Sequence, residues 1–231
     1  LFIIGVGCGD TSLITLEAIS YMGKAGAFVG GKSFTERFSK YMGDKPILFD
    51  PFTSWEPVYK KAHPDLSDEE VKKRTTELRN AEIKSIWDML KAGKNVALLE
   101  PGDPTIYGGW EKWLLPEFAG HIEVVTGINS FSAANAMIGK NVASNKKSIV
   151  LTTPWALKEN EGTLKNSVAT GDTIAIFMGL KEMEMLEPLL RKYYPATTIA
   201  TIVYKADISH EKRLIKTRLV DLLSTITKEG K

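Results

Sequence analysis

Residues 100–108, Glu-Pro-Gly-Asp-Pro-Thr-Ile-Tyr-Gly, directly follow the apolar run 96–99. A short apolar run that breaks into Pro-Gly-Asp-Pro is typical of a strand that ends in a tight turn. In open α/β sheets, ligands bind outside the carboxyl ends of the strands. Asp103 can accept hydrogen bonds from an amine or a hydroxyl, and Gly102 has no side chain to keep the backbone away from a ligand. The sequence therefore predicts a ligand site at this turn.

A second glycine-rich turn, residues 5–10 (Gly-Val-Gly-Cys-Gly-Asp), follows the first apolar run of the chain. A dinucleotide site requires Gly-x-Gly-x-x-Gly, but Asp10 stands in place of the third glycine and its charge opposes a pyrophosphate. Residues 28–32 lack the acid that would bind a ribose. Residues 26–33 match the spacing of a P-loop, but no P-loop is expected, because Gly-Lys-Ser at 31–33 does not end a glycine loop in the right context: residues 27–30 before it are interpreted as a strand. Taken alone the cluster predicts only a tight turn, and the similar turn at 100–108 favours a ligand site.

The other reactive residue types form no recognisable catalytic group. His63, His121 and His210 are scattered, without metal-ligand spacing, so we predict no metal site and expect surface or loop positions for all three. Cys8 is the single cysteine, which excludes an internal disulfide. Because no partner that would lower its pKa is evident, a small packed thiol is the favoured interpretation.

Composition sets further limits on the function. The 231 residues are 43% hydrophobic and 25% charged, as in an ordinary globular protein, and disorder is not expected. A net charge of +2 without blocks of like charge argues against nucleic acid as a partner. The apolar opening, residues 1–4, is far too short for a membrane helix and is interpreted as a buried strand. We expect no membrane association and a cytoplasmic location, although a removed leader is left open.

Short apolar runs alternate with helical patterns along the chain. This order favours an α/β fold with mainly parallel sheet. About eight strands are predicted, which suits two sheets better than one. The predicted strands are 1–6, 27–30, 46–49, 96–99, 122–125, 148–151, 173–178 and 199–204.

The clearest helix is predicted to begin after Ser67, where Ser-Asp-Glu-Glu fits a capping box, and to stop at Gly93. Its apolar positions keep roughly helical spacing and should pack on the sheet. These positions are Val71, Leu78, Ile86 and Leu90. We divide the chain into an amino-terminal α/β domain, 1–125, and a carboxyl-terminal α/β domain, 126–231.

Five segments together resemble the tetrapyrrole (corrin/porphyrin) methylases, which use S-adenosylmethionine. They occur in the family's order with matching spacing and span nearly the whole chain. They are residues 5–16, 101–108, 126–134 and 177–179, with a weaker fifth at 203–207 followed by Glu211 and Lys212. The resemblance implies two α/β domains with an active-site cleft between them, a homodimer, and methyl transfer from S-adenosylmethionine to a carbon of a tetrapyrrole.

The resemblance also implies a set of cofactor contacts in this chain. Met178 would lie against the adenine, and Tyr107 is a further candidate on the substrate side. The implied contacts are Cys8, Pro101, Gly102, Asp103, Ile106, Tyr107, Asn129, Ser130, Met178 and Ala206. A cleft for a substrate with many carboxylates should hold basic residues, and the nearest are Lys24, Lys32, Arg37 and Lys40, each of which is also a plausible solvated surface charge.

Structural alternatives exist for four of these residues. Asp103 would cap a following helix, Asn129 and Ser130 would cap the helix through Ala133, and Met178 on a strand would belong to the core. The resemblance favours the ligand interpretation for all four. It implies no catalytic triad, because in-line methyl transfer depends on positioning and on exclusion of water.

The chain departs from the family at two positions. Cys8 stands where proline is usual, and Gly31 lies near the place where members acting on uroporphyrinogen carry an acid. The second departure favours a corrin precursor, with C-11 of precorrin-4 or of its cobalt form as the first candidate. The alternatives are a methylase of the same fold that acts on uroporphyrinogen III, a diphthamide precursor or ribosomal RNA, and a non-catalytic S-adenosylmethionine-binding protein.

Overall fold

The computed structural model describes residues 1–142, 147–206 and 208–229. It contains two compact units, Leu1–Ser130 and Phe131–Lys231. The division follows Ser130, whereas the sequence analysis divides the chain after residue 125. Asp207, which belongs to the fifth family-like segment, lies outside the described residues.

Nine strands are present in the described part of the chain. They are β1 (Phe2–Gly5), β2 (Ala27–Val29), β3 (Ile47–Phe49), β4 (Val96–Glu100), β5 (Glu123–Val125), β6 (Ile149–Thr152), β7 (Thr173–Ile176), β8 (Ile199–Tyr204) and β9 (Arg213–Arg218). The eight predicted strands are confirmed in type and order. β9 was not predicted.

Eleven α-helices connect the strands of the described residues, together with three short 3-10 helices at Thr11–Leu13, Gly179–Glu182 and Leu219–Asp221. The α-helices are α1 (Leu16–Lys24), α2 (Lys32–Arg37), α3 (Ser39–Met42), α4 (Glu56–Ala62), α5 (Asp68–Lys91), α6 (Glu111–Phe118), α7 (Ser130–Ile138), α8 (Pro154–Glu159), α9 (Gly162–Thr170), α10 (Met183–Tyr193) and α11 (Leu222–Lys228). No helix among the described residues is long and apolar enough to cross a bilayer.

The first unit is built on a five-stranded parallel sheet in the order β3-β2-β4-β1-β5. β4 is apolar at four successive positions because both faces of the sheet are covered. Ala97 and Leu99 pack with Ala18 and Met22 of α1 on one face. Val96 and Leu98 pack on the other face with Ile86 of α5 and with residues of α6. Alternation along the strands therefore assigns each side chain to one of two cores.

Helix α5 confirms the predicted capping box. The Ser67 hydroxyl accepts the Glu70 amide, and the Glu70 carboxylate accepts the Ser67 amide. Val71 and Ile86 are buried as expected, and α5 packs against β3 and β4. The prediction was wrong for Leu78, which is 40% exposed. A 24-residue helix is longer than the short strands that it covers, so apolar spacing alone does not decide which turns meet the sheet.

The second unit contains two separate two-stranded sheets. β6 and β7 are parallel, whereas β8 and β9 form an antiparallel pair from Ile199 opposite Arg218 to Tyr204 opposite Arg213. The prediction of mainly parallel sheet is thus wrong for β8. Leu186 and Leu190 of α10 pack with Ile202 and Ile226 in the core of this unit.

Candidate active site

The turns after β1 and β4 lead to opposite faces of the first sheet. β1 is followed by α1, which packs on the Ala97 and Leu99 face, whereas β4 is followed by α6, which packs on the Val96 and Leu98 face. β1 and β4 are neighbours in the sheet. Adjacent parallel strands whose connections diverge in this way mark the topological switch point, where open α/β sheets bind ligands. The turn selected from the sequence lies at this point.

Three turns converge there with almost no space between their backbones. The amide of Gly7 donates to the carbonyl of Gly102 at 3.2 Å, and the amide of Gly102 donates to the carbonyl of Gly7 at 3.0 Å. A Cβ on Gly127, after β5, would lie 2.1 Å from the Gly102 oxygen, and a Cβ on Gly5 would lie 2.6 Å from the Gly127 nitrogen. Only glycine fits at these contacts, so the three turns form one backbone cluster, which we call the glycine junction (Gly5, Gly7, Gly102 and Gly127).

Gly102 contributes through its conformation. Its φ is +73°, in the left-handed region that favours glycine. Because its amide and carbonyl are both bonded to Gly7, its backbone holds the two turns together. A Cβ at Gly102 would contact the Cα of Asn129 at 3.8 Å, which places the turn after β5 beside it.

Asp103 forms a local turn. Its Oδ1 accepts the Thr105 amide at 2.9 Å and the Thr105 hydroxyl at 2.7 Å. No helix begins here, since α6 starts at Glu111, so the helix-cap alternative for Asp103 is wrong. No hydrogen bond from the described residues reaches Oδ2, which is therefore available as an acceptor.

A tryptophan anchors the far end of this turn. The indole Nε1 of Trp110 donates to the carbonyl of Pro104 at 2.9 Å, and the Trp110 side chain is 6% exposed in the core beneath α6. Tyr107, between these residues, has a φ of +59° and is 48% exposed. A non-glycine residue in this region is strained, and such strain is concentrated at functional sites.

Eight of the ten predicted contacts lie on the three converging turns. Cys8, Asp103, Ile106, Asn129 and Ser130 are partly buried, Gly102 is buried, and Pro101 and Tyr107 are exposed. α7 begins at Ser130, directly after Asn129, so the helix-start alternative for this pair remains compatible with the geometry.

Met178 and Ala206 lie in the second unit, each just after a strand. Met178 follows β7, has a φ of +59° and is 53% exposed, so the alternative that places it in the core is wrong. Lys205, beside Ala206, also has a positive φ, +45°. The segments after β7 and β8 lie close together, because Leu180 from the first and Tyr204 and Lys205 from the second line the same cavity of about 420 Å³. His210, Glu211, Lys212, Arg213 and Glu229 complete its lining, which therefore carries charges of both signs.

One of the four basic residues considered from the sequence, Arg37, lies at the switch point. Nη1 of Arg37 donates to the carbonyl of Gly9 at 2.9 Å and so supports the first turn. The two residues are 28 positions apart, so no local pattern in the sequence predicts this bond. Lys24, Lys32 and Lys40, the other predicted basic residues, lie over the Tyr21 ring, beside Glu36 and over the Tyr41 ring respectively.

Glu100 at the switch point was not selected as a site residue from the sequence. It ends β4 directly before Pro101, and burial raises the pKa of its carboxyl to about 7. Within the described part of the chain its carboxyl takes part in no hydrogen bond or ion pair. An acid directly after four buried apolar residues was the available signal in the sequence.

We expect Gly127→Ala to disrupt the glycine junction. The new Cβ would meet backbone atoms that cannot move without separating the strands, so the free energy of unfolding should fall by about 3 kcal/mol or more. Urea denaturation measures this change. Gly23→Ala is the matched control, because a Cβ at this exposed position in α1 meets nothing within 4 Å and should stabilise the helix by roughly 0.5–1 kcal/mol. Equal losses for both variants would contradict the packing argument.

Glu100→Gln should change the pH dependence of stability. The carboxyl titrates near 4.5 in its ordinary state and near 7 in the folded protein, so between these values the folded state binds more protons and stability falls as the pH rises. Glutamine removes this loss, so at about pH 8 the variant should be more stable than wild type by on the order of 1–3 kcal/mol, with little difference at about pH 4. Urea denaturation across this pH range measures the effect, and parallel curves for the two proteins would contradict it.

Comparison with known proteins identifies the family. The profile of the Tetrapyrrole (Corrin/Porphyrin) Methylases matches residues 1–222. The cobalt-precorrin-4 C(11)-methyltransferase of Methanocaldococcus jannaschii is 24% identical, over 100% of this chain and 83% of that protein. The uroporphyrinogen-III C-methyltransferase of Bacillus subtilis is 27% identical, over 100% of this chain and 85% of that protein.

Solved structures share the fold. A cobalt precorrin-4 methyltransferase of cobalamin biosynthesis superposes with a TM-score of 0.73 at 19% identity, over 99% of this chain and 89% of that one. A uroporphyrin-III C-methyltransferase from Thermus thermophilus, complexed with S-adenosylhomocysteine, superposes with a TM-score of 0.60 at 17% identity, over 97% and 86%. Since the family profile spans nearly the whole chain, this protein belongs to the tetrapyrrole (corrin/porphyrin) methylases and is a methyltransferase.

Proposed function

We propose that this protein transfers a methyl group from S-adenosylmethionine to a ring carbon of a tetrapyrrole, and that the substrate is a corrin precursor. The observation that carries the proposal is the glycine junction at the switch point of the first sheet, formed by the segments that characterise the family. C-11 of precorrin-4, or of its cobalt form, is the first candidate, in line with the names of the relative from Methanocaldococcus jannaschii and of a solved neighbour.

The residues at the junction suit S-adenosylmethionine better than a dinucleotide. The cofactor carries an amino group and ribose hydroxyls but no pyrophosphate, and the acceptor Oδ2 of Asp103 matches those donors. Asp10 disfavours a pyrophosphate in the first turn. The exposed thioether of Met178 suits a flat adenine ring. A solved neighbour complexed with S-adenosylhomocysteine supports the same donor.

The bound cofactor would supply an electrophilic methyl group on a sulfonium. The protein would hold the methyl group in line between the sulfur and the acceptor carbon of the ring, and would keep water away. This positioning is the main source of catalysis in a reaction of this kind. The glycine junction fixes the first and second turns, and the bond from Trp110 to Pro104 fixes the end of the second. Cys8, Pro101, Ile106, Asn129, Ser130 and Ala206 would complete the cofactor contacts, with Tyr107 toward the substrate.

The neighbourhood of Gly31 favours a corrin precursor over uroporphyrinogen III. Gly31 has no side chain, and the ring of Phe52 lies 3.1 Å from where a Cβ would stand. An acid at this place would have to displace that ring. The cavity near Lys205 also holds Lys212 and Arg213, cations that suit a substrate with many carboxylates, although Lys205 is paired with Glu211 and Arg213 with Glu229. By the same family relationship we infer a homodimer in the cytoplasm.

The test is mass spectrometry of an anaerobic panel that contains precorrin-4, its cobalt form, uroporphyrinogen III and earlier corrin precursors. We expect one added methyl on a corrin precursor, with stoichiometric S-adenosylhomocysteine. Methylation of uroporphyrinogen III alone would overturn the substrate assignment. Binding of the cofactor without methylation of any panel member would favour a macromolecular substrate or a binding protein. Calorimetric binding of NAD, with none of S-adenosylmethionine, would overturn the whole proposal.

Asp103→Ala and Asp103→Asn separate ligand binding from turn formation. Asparagine keeps an oxygen for the Thr105 bonds but loses the charge, whereas alanine loses both. We expect both variants to bind S-adenosylhomocysteine at least tenfold more weakly by calorimetry, with a loss of stability only for alanine. If Asp103→Asn binds S-adenosylhomocysteine with normal affinity, the Asp103 carboxylate does not contact the cofactor. Its role would then be to form the turn with Thr105.

A further inference from the structure

Glu100 is a partly buried acid at the candidate site, and the methyl-donor contacts give it no role. Glu100 is the last residue of β4, the strand in the middle of the sheet, and pairs in register with Gly5 of the glycine junction. Its carbonyl accepts the Val6 amide at 3.0 Å, so its backbone is fixed at the switch point. Glu100 thus joins the rigid sheet to the turn that starts at Pro101.

The side chain of Glu100 meets few polar neighbours. Its neighbour on β1 is Gly5, and on the β2 side a Cβ at Gly30 would meet Leu99 at 3.3 Å, so both adjacent strands present glycine near this level. By alternation with Val96 and Leu98, Glu100 belongs to the face covered by α5 and α6.

The charged groups on that face are engaged elsewhere. α5 contributes Glu82, which accepts the Ser54 hydroxyl at 2.8 Å and lies 3.1 Å from Nη1 of Arg79. α6 contributes apolar side chains to this core. In the following turn, Asp103 is bonded to Thr105. The carboxyl of Glu100 is left without a structural partner among the described residues, and its partial burial without compensation lowers the stability of the ionised form.

Methylation of a ring carbon requires a proton acceptor. The carbon of an enamine-like pyrrole unit attacks the methyl group, a C–C bond forms, and the methyl–sulfur bond breaks with its electron pair left on sulfur. The ring nitrogen is then an iminium that still carries its proton. Loss of that N–H proton to a base returns the electron pair to the ring and completes the exchange of one hydrogen for one methyl.

We propose that Glu100 is the base that takes this proton. The inference rests on the proposed function and adds to it a catalytic residue that the loop contacts do not supply. A carboxyl whose pKa lies near 7 is ionised in a large fraction of molecules at neutral pH and is still basic enough to accept a proton, which is the condition for efficient general base catalysis. Its position on a strand end, and not on a mobile loop, fixes it relative to the glycine junction.

The experiment compares wild type, Glu100→Gln and Glu100→Asp in single-turnover methyl transfer between about pH 5.5 and 8.5, with the panel member that wild type methylates. For wild type the rate should rise with pH through about 7, because the carboxylate is the active form. Glu100→Gln should lose this limb and be slower by about a hundredfold or more at pH 8, with unchanged affinity for S-adenosylhomocysteine. Glu100→Asp should keep the limb at a reduced rate.

Glu82→Gln is the matched control. It also neutralises a buried carboxyl on the same face, but this one has partners in Ser54 and Arg79, so it should lose stability and keep the wild-type pH profile. Glu100→Gln should behave in the opposite way, stable yet slow. This pattern separates a catalytic role from a structural one.

The outcomes are distinguishable from failure of the proposed function. A wild-type enzyme that methylates its substrate, together with a Glu100→Gln variant of equal rate and equal pH profile, overturns only the role of Glu100. A tenfold loss of cofactor affinity in Glu100→Gln, with a normal rate at saturation, also overturns it. A wild-type protein that methylates no member of the panel overturns the proposed function and this inference together.

Discussion

Direct backbone contact among the three turns at the carboxyl edge of the sheet is the constraint on which the rest of the site depends. Gly102 is bonded twice to Gly7, and its carbonyl lies where a Cβ of Gly127 would be. Hydrogen is the only substituent that fits there, so the turns after β1, β4 and β5 take their positions from one another as well as from the sheet. The parallel register of Gly5 with Glu100 delivers the first two turns to the same level. The proposed methyl transfer would need no catalytic triad at such a site, because it depends on holding the methyl group and the acceptor carbon in place.

Two acids of the first unit, the buried Glu82 and the partly buried Glu100, illustrate opposite uses of a carboxyl. Glu82 has a hydroxyl and a guanidinium as partners and ties the segment that contains Ser54 to α5. Glu100 has no such partner in the described structure, and burial alone raises its pKa to about 7. At a pH above the ordinary pKa of a carboxyl, such an acid lowers the stability of the folded protein, and it makes no hydrogen bond in return. An acid of this kind is characteristic of a functional position.

Backbone strain marks the same kind of position in both units. Tyr107, Met178 and Lys205 are the non-glycine residues with positive φ in the described chain. Met178 and Lys205 lie within two residues of a strand end, and Tyr107 lies in the long turn between β4 and α6. Two of them, Tyr107 and Met178, belong to the contacts that the family resemblance implies, and the third is next to Ala206. At Met178 the left-handed conformation turns the chain sharply after the strand and leaves the side chain exposed. Had the strand continued through this residue, the side chain would have been in the core.

The sequence by itself determined the elements whose causes are local. Continuous apolar runs mark strands such as β4 because both faces are buried, the capping box fixes the start of α5 after Ser67, and glycine-rich residues mark the turns after β1 and β4. Tertiary structure decided what depends on distant partners. β9, in which three of the six residues are basic, pairs only because β8 lies beside it, and Arg37 bonds to Gly9 across 28 positions of sequence. Leu78 is exposed because the sheet beneath α5 is short, and Glu100 acquires its pKa only through burial at the switch point. Local patterns specify conformation, whereas burial and charge environment arise only when remote segments pack together.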